Sequence, residues 1–235
     1  MVNDMLTALD KTELTPSAIK LRHRSYELLR LTSASKVADV GCGSGRATSE
    51  LAGQARKVTG VDPDPQLLEV AHDRYPEVTF VRATAESLPF DDAELDAYRA
   101  DKVLHVLKNP ADAITEASRV IKPTGRIVLI GQDWDTIAVA ANDRALTRDL
   151  IRGFADTIPS PSAAANFRAL LADAGFADIE LEVSPMLFTD GEVIGPLLRR
   201  AAQNNDDWLA EQHERARTGR MTVCATIYLA AATRR

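Results

Sequence analysis

Apolar positions along this chain fall into short β-branched runs that alternate with stretches of helical period. Val37 and Val40 mark a buried strand, KVTGV at 57–61 a second, and VTFVRATAESLPF at 78–90 opens as a third of alternating character. Residues 95–110 read as a fourth strand, a loop at its carboxyl end and a short helix. Further strands are predicted at 125–130, 179–188 and 221–231. Helical spacing marks 111–121, 142–156 and 167–174, the last ending at Gly175, a residue suited to left-handed backbone. A helix over 16–31, capped by Thr15, precedes the first strand. Two more, 193–203 and 207–217, fall between the last two strands. Strands alternating with helices predict an α/β fold, and in a doubly wound sheet the excursion 189–220 must stack on an edge or over the crevice at the carboxyl ends, where it reads as a lid.

Candidate chemistry concentrates in VADVGCGSGRAT at 37–48. Asp39 lies near the carboxyl end of the first strand, and Gly41, Gly43 and Gly45 form a turn whose main chain a ligand can approach without Cβ obstruction. A strand, tight turn and helix start in that order predict a nucleotide-type cofactor site. The dinucleotide fingerprint would need glycine at position 46, where Arg46 stands, so a nicotinamide cofactor is disfavoured. Asp62 ends the second strand about twenty residues beyond the first glycines, where a carboxylate can accept from a ribose diol. Asp64 reads instead as a helix cap, with Pro65 as first helical residue.

This arrangement resembles the glycine-rich motif of class I S-adenosylmethionine-dependent methyltransferases, and similarity runs in order from about Thr15 to Trp134. The resemblance implies a Rossmann-like doubly wound seven-stranded sheet, mostly parallel with an antiparallel last strand, helices on both faces and a helical insertion before the last strand. It implies that Asp39, Gly41 and Gly43 hold the amino-acid end of S-adenosylmethionine, that Asp62 takes the ribose, and that the loop at Thr84 and Ala85 meets the adenine. Thr84 stands where the family usually has Asp. Arg99, in the loop nearest the expected reaction centre, is taken as a cofactor contact, and Arg24, on a face with Leu21 and Leu28, could lean toward the methionyl carboxylate. RVIKPTGR resembles the family's RVLKPGGR, with Thr124 in place of a glycine, and GQDWDT at 131–136 resembles an EPDW-type sequence that brings Trp134 to the acceptor. His105 matches the first histidine of an LHH sequence and is the candidate general base. Met186, Phe188 and Trp208 are candidate acceptor-lining residues.

The relatives implied are ubiquinone/menaquinone-type and bacterial natural-product enzymes. The expected activity is methyl transfer to a small molecule, first to an oxygen nucleophile of a secondary metabolite or quinone-like compound, with S-adenosylhomocysteine as product. Nitrogen or carbon acceptors are alternatives, and a binding protein that transfers no methyl is a rival of another class. Composition agrees with one domain over 1–235, comprising an N-terminal helical cap at 1–31 and the lid at 189–220: 45% hydrophobic residues in 235 suffice for one core. A net charge of −6 argues against nucleic-acid and anionic-lipid partners. Two cysteines make no disulfide framework, residues 1–15 are polar, and the longest apolar run is far short of a membrane span; a cytoplasmic monomer or homodimer is expected. Neither metal-ligand spacing, nor a P-loop, nor a nucleophile elbow is present.

Overall fold

The computed structural model describes residues 10–235; the first nine residues of the expected cap lie outside the described part. Helix α1 (Pro16–Leu29) starts where Thr15 Oγ1 accepts from the Ala18 amide and Pro16 supplies a preset φ. It stops two residues early because Arg30 turns left-handed at φ 52°. Strand β1 (Lys36–Val40) follows, then α2 (Arg46–Ala52), β2 (Lys57–Asp62), α3 (Pro65–Arg74), β3 (Thr79–Arg82) and β4 (Leu95–Asp101). Asp64 caps α3 as expected, accepting from the Gln66 amide. The rest of the chain forms α4 (Pro110–Val120), β5 (Ile121–Val139), α5 (Arg144–Ala155), α6 (Phe167–Asp173), β6 (Phe176–Phe188), α7 (Gly191–Ala201), α8 (Asp206–Arg217) and β7 (Val223–Arg234).

The seven strands lie in the order β3-β2-β1-β4-β5-β7-β6. The first five are parallel, and β7 runs antiparallel between β5 and β6. Chain order reverses between β1 and β4, which opens a crevice at their carboxyl ends. Pleating sorts the strand residues. Val37, Ala97 and Val128 face α1 and α2, packing with Tyr26, Leu29 and Leu51; Ala38, Val40, Tyr98 and Leu129 face α4 and α6, packing with Ile114, Phe167 and Leu171. Each large side chain so buried contributes about 1.5–3 kcal/mol.

Strand β5 is the main departure from the expected boundaries, running over nineteen residues where 125–130 was predicted. Ile121 already pairs with Leu95 ahead of a bulge, and beyond the parallel part β5 continues against β7 through Val139↔Val223, across a second irregularity. Thr124 sits in the first of these at φ 66°, where a β-branched residue is strained. The insertion is helical: α7, capped by Asp190, and α8, capped by Asn205, share a satellite core with α5 built on Leu150, Ile194, Leu198 and Trp208.

Candidate functional site

The glycine turn is shaped by three left-handed residues, Gly41, Gly43 and Gly45, at φ 70°, 53° and 86°. A Cβ on Gly41 would lie 2.2 Å from Val103 Cγ2, and one on Gly45 would lie 2.7 Å from the Phe80 ring, so both glycines are needed for close packing. At Gly43 a Cβ would meet nothing within 4 Å. On that side Gly43 is covered by none of the described residues, and it is the place a ligand can approach. Beneath it the Gly41 amide donates to Val61 carbonyl at 2.7 Å, which ties the turn to β2.

Asp62, at the end of β2, accepts from the Gly43 amide through one oxygen and from the Asp64 amide through the other, each at 2.9 Å. Burial pushes its carboxyl above the ordinary value, although both amide bonds oppose the shift. A vicinal diol offering two hydroxyl donors suits such a half-saturated, poorly hydrated carboxylate. In the loop after β3, Ala85 is buried and Thr84 exposed, with Thr84 carbonyl accepting from the Ser87 amide.

Asp39 and Arg99 lie side by side on β1 and β4 and are 1% and 2% exposed. Arg99 donates to Asp39 at 2.8 Å, to Asp101 at 2.8 Å and to Ser25 Oγ of α1 at 3.0 Å; Thr48 of α2 donates to the other Asp39 oxygen at 2.8 Å. Arg99 is thus corrected from a cofactor contact to a positioning residue, because its guanidinium is enclosed by protein groups. Asp39 likewise acts through this network, which joins both helices to the strands that carry the turn. Burial works to raise the Asp101 carboxyl, but Lys102 and Arg99 beside it hold it below the ordinary value.

Arg24 is also corrected. Its guanidinium turns outward to Glu182 of β6, at 2.6 Å, and to Glu27, because the inward face of α1 is that of Arg22, Ser25, Tyr26 and Leu29. Arg22 is the cation that faces inward. It pairs with Glu50 through two nitrogens, and Tyr26 donates to the same carboxylate at 2.9 Å. The segment ahead of α1 closes on the turn: Glu13 accepts from Arg46, the first residue of α2, and Asp10 from Arg74 of α3. Lys11 reaches Glu192 of α7, so the N-terminal segment and the insertion meet.

A cavity of about 520 Å³ lies between α1, the carboxyl ends of β4 and β5, and α7. Asp101 and Lys102 line it next to Val103, the residue against which Gly41 packs, so the cavity adjoins the turn. Trp134, Met186 and Phe188 line it, joined by Phe154, Ile194 and Leu197. Trp208 does not line it; the indole is buried among Leu150, Leu198 and Met221 and donates to Thr147 Oγ1 at 2.9 Å, which makes it part of the α5/α7/α8 core. His105 is a further correction. It sits in a single 3₁₀ turn (Leu104–Val106) outside the cavity wall, its ring 5.3 Å from that of Trp134. Burial, reinforced by Lys102, lowers its pKa to about 4, which leaves a neutral ring that is a weak base. Among the described residues, His105 Nδ1 and Trp134 Nε1 are buried without hydrogen-bond partners.

Residues 38–129 match a family model described as a methyltransferase domain. Over 170 residues the chain is 32% identical to demethylmenaquinone methyltransferase of Tropheryma whipplei, covering 70% of this chain and 71% of that protein. The chain belongs to the class I S-adenosylmethionine-dependent methyltransferases. The chain is also 29% identical, over 204 residues and 84% of its length, to an uncharacterized 37.1 kDa protein of a Streptomyces fradiae transposon, of which it covers 59%. It spans three fifths or less of the length of several curated relatives it matches. In fold it is similar to the YcgJ protein of Bacillus subtilis, with a TM-score of 0.68 at 21% identity, covering 91% of this chain and 99% of that one. Among the described residues no cluster of His, Cys, Asp or Glu could hold a metal ion, and no helix is long and apolar enough to cross a membrane.

Proposed function

We propose that this methyltransferase moves a methyl group from S-adenosylmethionine to a small-molecule acceptor held in the 520 Å³ cavity, first to an oxygen nucleophile of a secondary metabolite or quinone-like compound. The observation that carries the reading is the cavity itself: it is of small-molecule size, mostly apolar, and is lined by Asp101 and Lys102, next in the chain to the Val103 side chain that packs on Gly41 of the turn. A quinone-like acceptor draws support from the relative named for demethylmenaquinone.

In this reading Gly41 and Gly43 present main chain to the amino-acid end of the cofactor, Asp62 accepts from its ribose, and Thr84 and Ala85 border its adenine. When bound, the cofactor supplies a methyl group on a positively charged sulfur, which is already activated toward attack. What remains for the chain is placement. The network of Asp39, Arg99, Thr48 and Ser25 fixes the turn relative to α1 and α2. Trp134, Met186 and Phe188 orient the acceptor, while α7 and the N-terminal segment act as cap and lid that exclude water. Holding two reactants in line is worth about 7–11 kcal/mol of barrier. With His105 outside the wall and weakly basic, Asp101 tied to Arg99 and Lys102, and Glu13 tied to Arg46, an acceptor hydroxyl that ionises readily by itself fits best.

Incubation with methyl-labelled cofactor and a bacterial metabolite extract tests the proposal. A labelled small product is the expected result. Binding of S-adenosylhomocysteine without any labelled product would favour the rival, a protein that holds the cofactor without transferring methyl.

A further inference from the structure

Six charged side chains line the cavity, and four of them are neutralised locally: Glu13 by Arg46, Arg22 by Glu50, and Asp101 and Lys102 by one another. Arg199 and Arg200, in the last turn of α7, differ. Among the described residues neither forms an ion pair or donates a hydrogen bond to side chain or main chain; Arg200 only stacks over the Phe154 ring at 5.3 Å. Cations near a helix C-terminus ordinarily need no explanation beyond the helix dipole. Three other late-helix arginines find carboxylates one turn back, Arg119 on Glu116, Arg215 on Glu211 and Arg217 on Glu214, whereas Arg152 at the end of α5 also stands unpaired among the described residues but does not line the cavity. The positions one turn before Arg199 and Arg200 are Gly195, Pro196 and Leu197, so the sequence provides no internal partner.

The placement of the pair is informative. Ring contacts run from His105 to Trp134, from Trp134 to Phe154 and from Phe154 to Arg200. Arg200 therefore stands three steps from the 3₁₀ turn that follows β4, at the far end of an apolar wall from the glycine turn. In a chain of net charge −6, two uncompensated guanidinium groups bordering an apolar cavity form a local positive field.

We propose that the acceptor is an amphipathic organic anion, its apolar body along Trp134 and Phe154 and its carboxylate or phosphate met by Arg199 and Arg200. This rests on the reading of the cavity as the acceptor site. A planar guanidinium pair pairs with either oxyanion, and the low polarity of the adjoining wall strengthens the contact.

Calorimetry on the full chain saturated with S-adenosylhomocysteine tests it, using decanoate, decyl phosphate and decanol as probes that share a tail. Both anions are expected to bind at least about 10-fold tighter than decanol, the scale of one charge-assisted contact, and the tighter of the two identifies the head group. In the double variant Arg199→Gln/Arg200→Gln that preference should collapse to within about 2-fold with decanol binding unchanged; both side chains are exposed, so the fold is retained. Equal binding of all three probes, binding of none, or a preference that survives the double substitution would overturn the proposal. The two readings fail separately. Labelled methyl transfer without head-group preference sinks this inference alone, whereas head-group preference without transfer sinks the enzymatic reading alone.

Discussion

The two halves of the site treat their polar groups in opposite ways. Around the glycine turn, Asp39, Thr48, Arg99, Asp101 and Ser25 are buried or half-buried and tied to one another, and Asp62 is held by two amides. Around the cavity, Gln132 Oε1 and Trp134 Nε1 lack partners among the described residues, as Arg199 and Arg200 lack carboxylates. A turn that meets one invariant cofactor can be completed by the protein in advance. A pocket whose ligand supplies part of the pairing must leave groups open, at a cost in stability for each one.

The sharpest way to break that comparison is to open the closed half. Arg99→Ala would strand Asp39 and Asp101 in the interior, and urea unfolding should show a loss of about 3–5 kcal/mol. The double variant Asp39→Asn/Arg99→Met, which removes the principal charge pair together, should recover more than half of that loss. A single Arg99→Ala variant within 1 kcal/mol of the parent, on the order of an exposed ion pair, would show that the network does not hold the turn.

A smaller effect comes from behind the open half, at the ring that packs against Trp134. His105 has an ordinary pKa of 6.5 and about 4 in the fold, so the unfolded chain takes up a proton that the folded chain refuses. Stability should therefore fall as pH drops from 6.5 toward 4, by on the order of 2–3 kcal/mol from this residue. His105→Gln should flatten the slope in that window relative to the parent. The same slope in both proteins would mean that the ring is well solvated and that Trp134 does not depend on it.

The smallest effect serves as a control remote from both regions. Thr124→Gly relieves a left-handed β-branched residue at φ 66° and should stabilise by about 1 kcal/mol in thermal unfolding, with cofactor affinity unchanged. A destabilised variant would show that the bulge at the start of β5 needs the threonine side chain.

How much of this was legible in the sequence divides along the same line. The turn was readable because glycine takes left-handed backbone without strain and stands at three alternate positions in five residues, and the Asp64 cap because Asx and proline act locally. The sheet was readable from alternating elements, even though β5 outran its predicted end by pairing with β7. The side chains around the cavity were not. Leu21 and Leu28 made the Arg24 face look inward, yet the face that packs is that of Arg22, Ser25 and Tyr26, because Arg99 and Glu50 supply partners that no local pattern announces. Trp208 looked like a pocket residue for its bulk, and only the position of Thr147, sixty-one residues away in the chain, gives its indole another place. Arg199 and Arg200 read as ordinary late-helix arginines, and only their place in the cavity lining sets them apart from the equally unpaired Arg152.

The central claim is that the bare main chain at Gly43 is where the cofactor rests. Calorimetric titration of Gly43→Ala with S-adenosylhomocysteine tests it most directly: the added Cβ meets no protein atom within 4 Å, and the strain of an alanine at φ 53° is read apart from binding, as a loss of about 1–2 kcal/mol in urea unfolding. The account predicts at least about 10-fold weaker binding, equivalent to 1.4 kcal/mol or more, in a variant that remains folded. Parental affinity in that variant would contradict it.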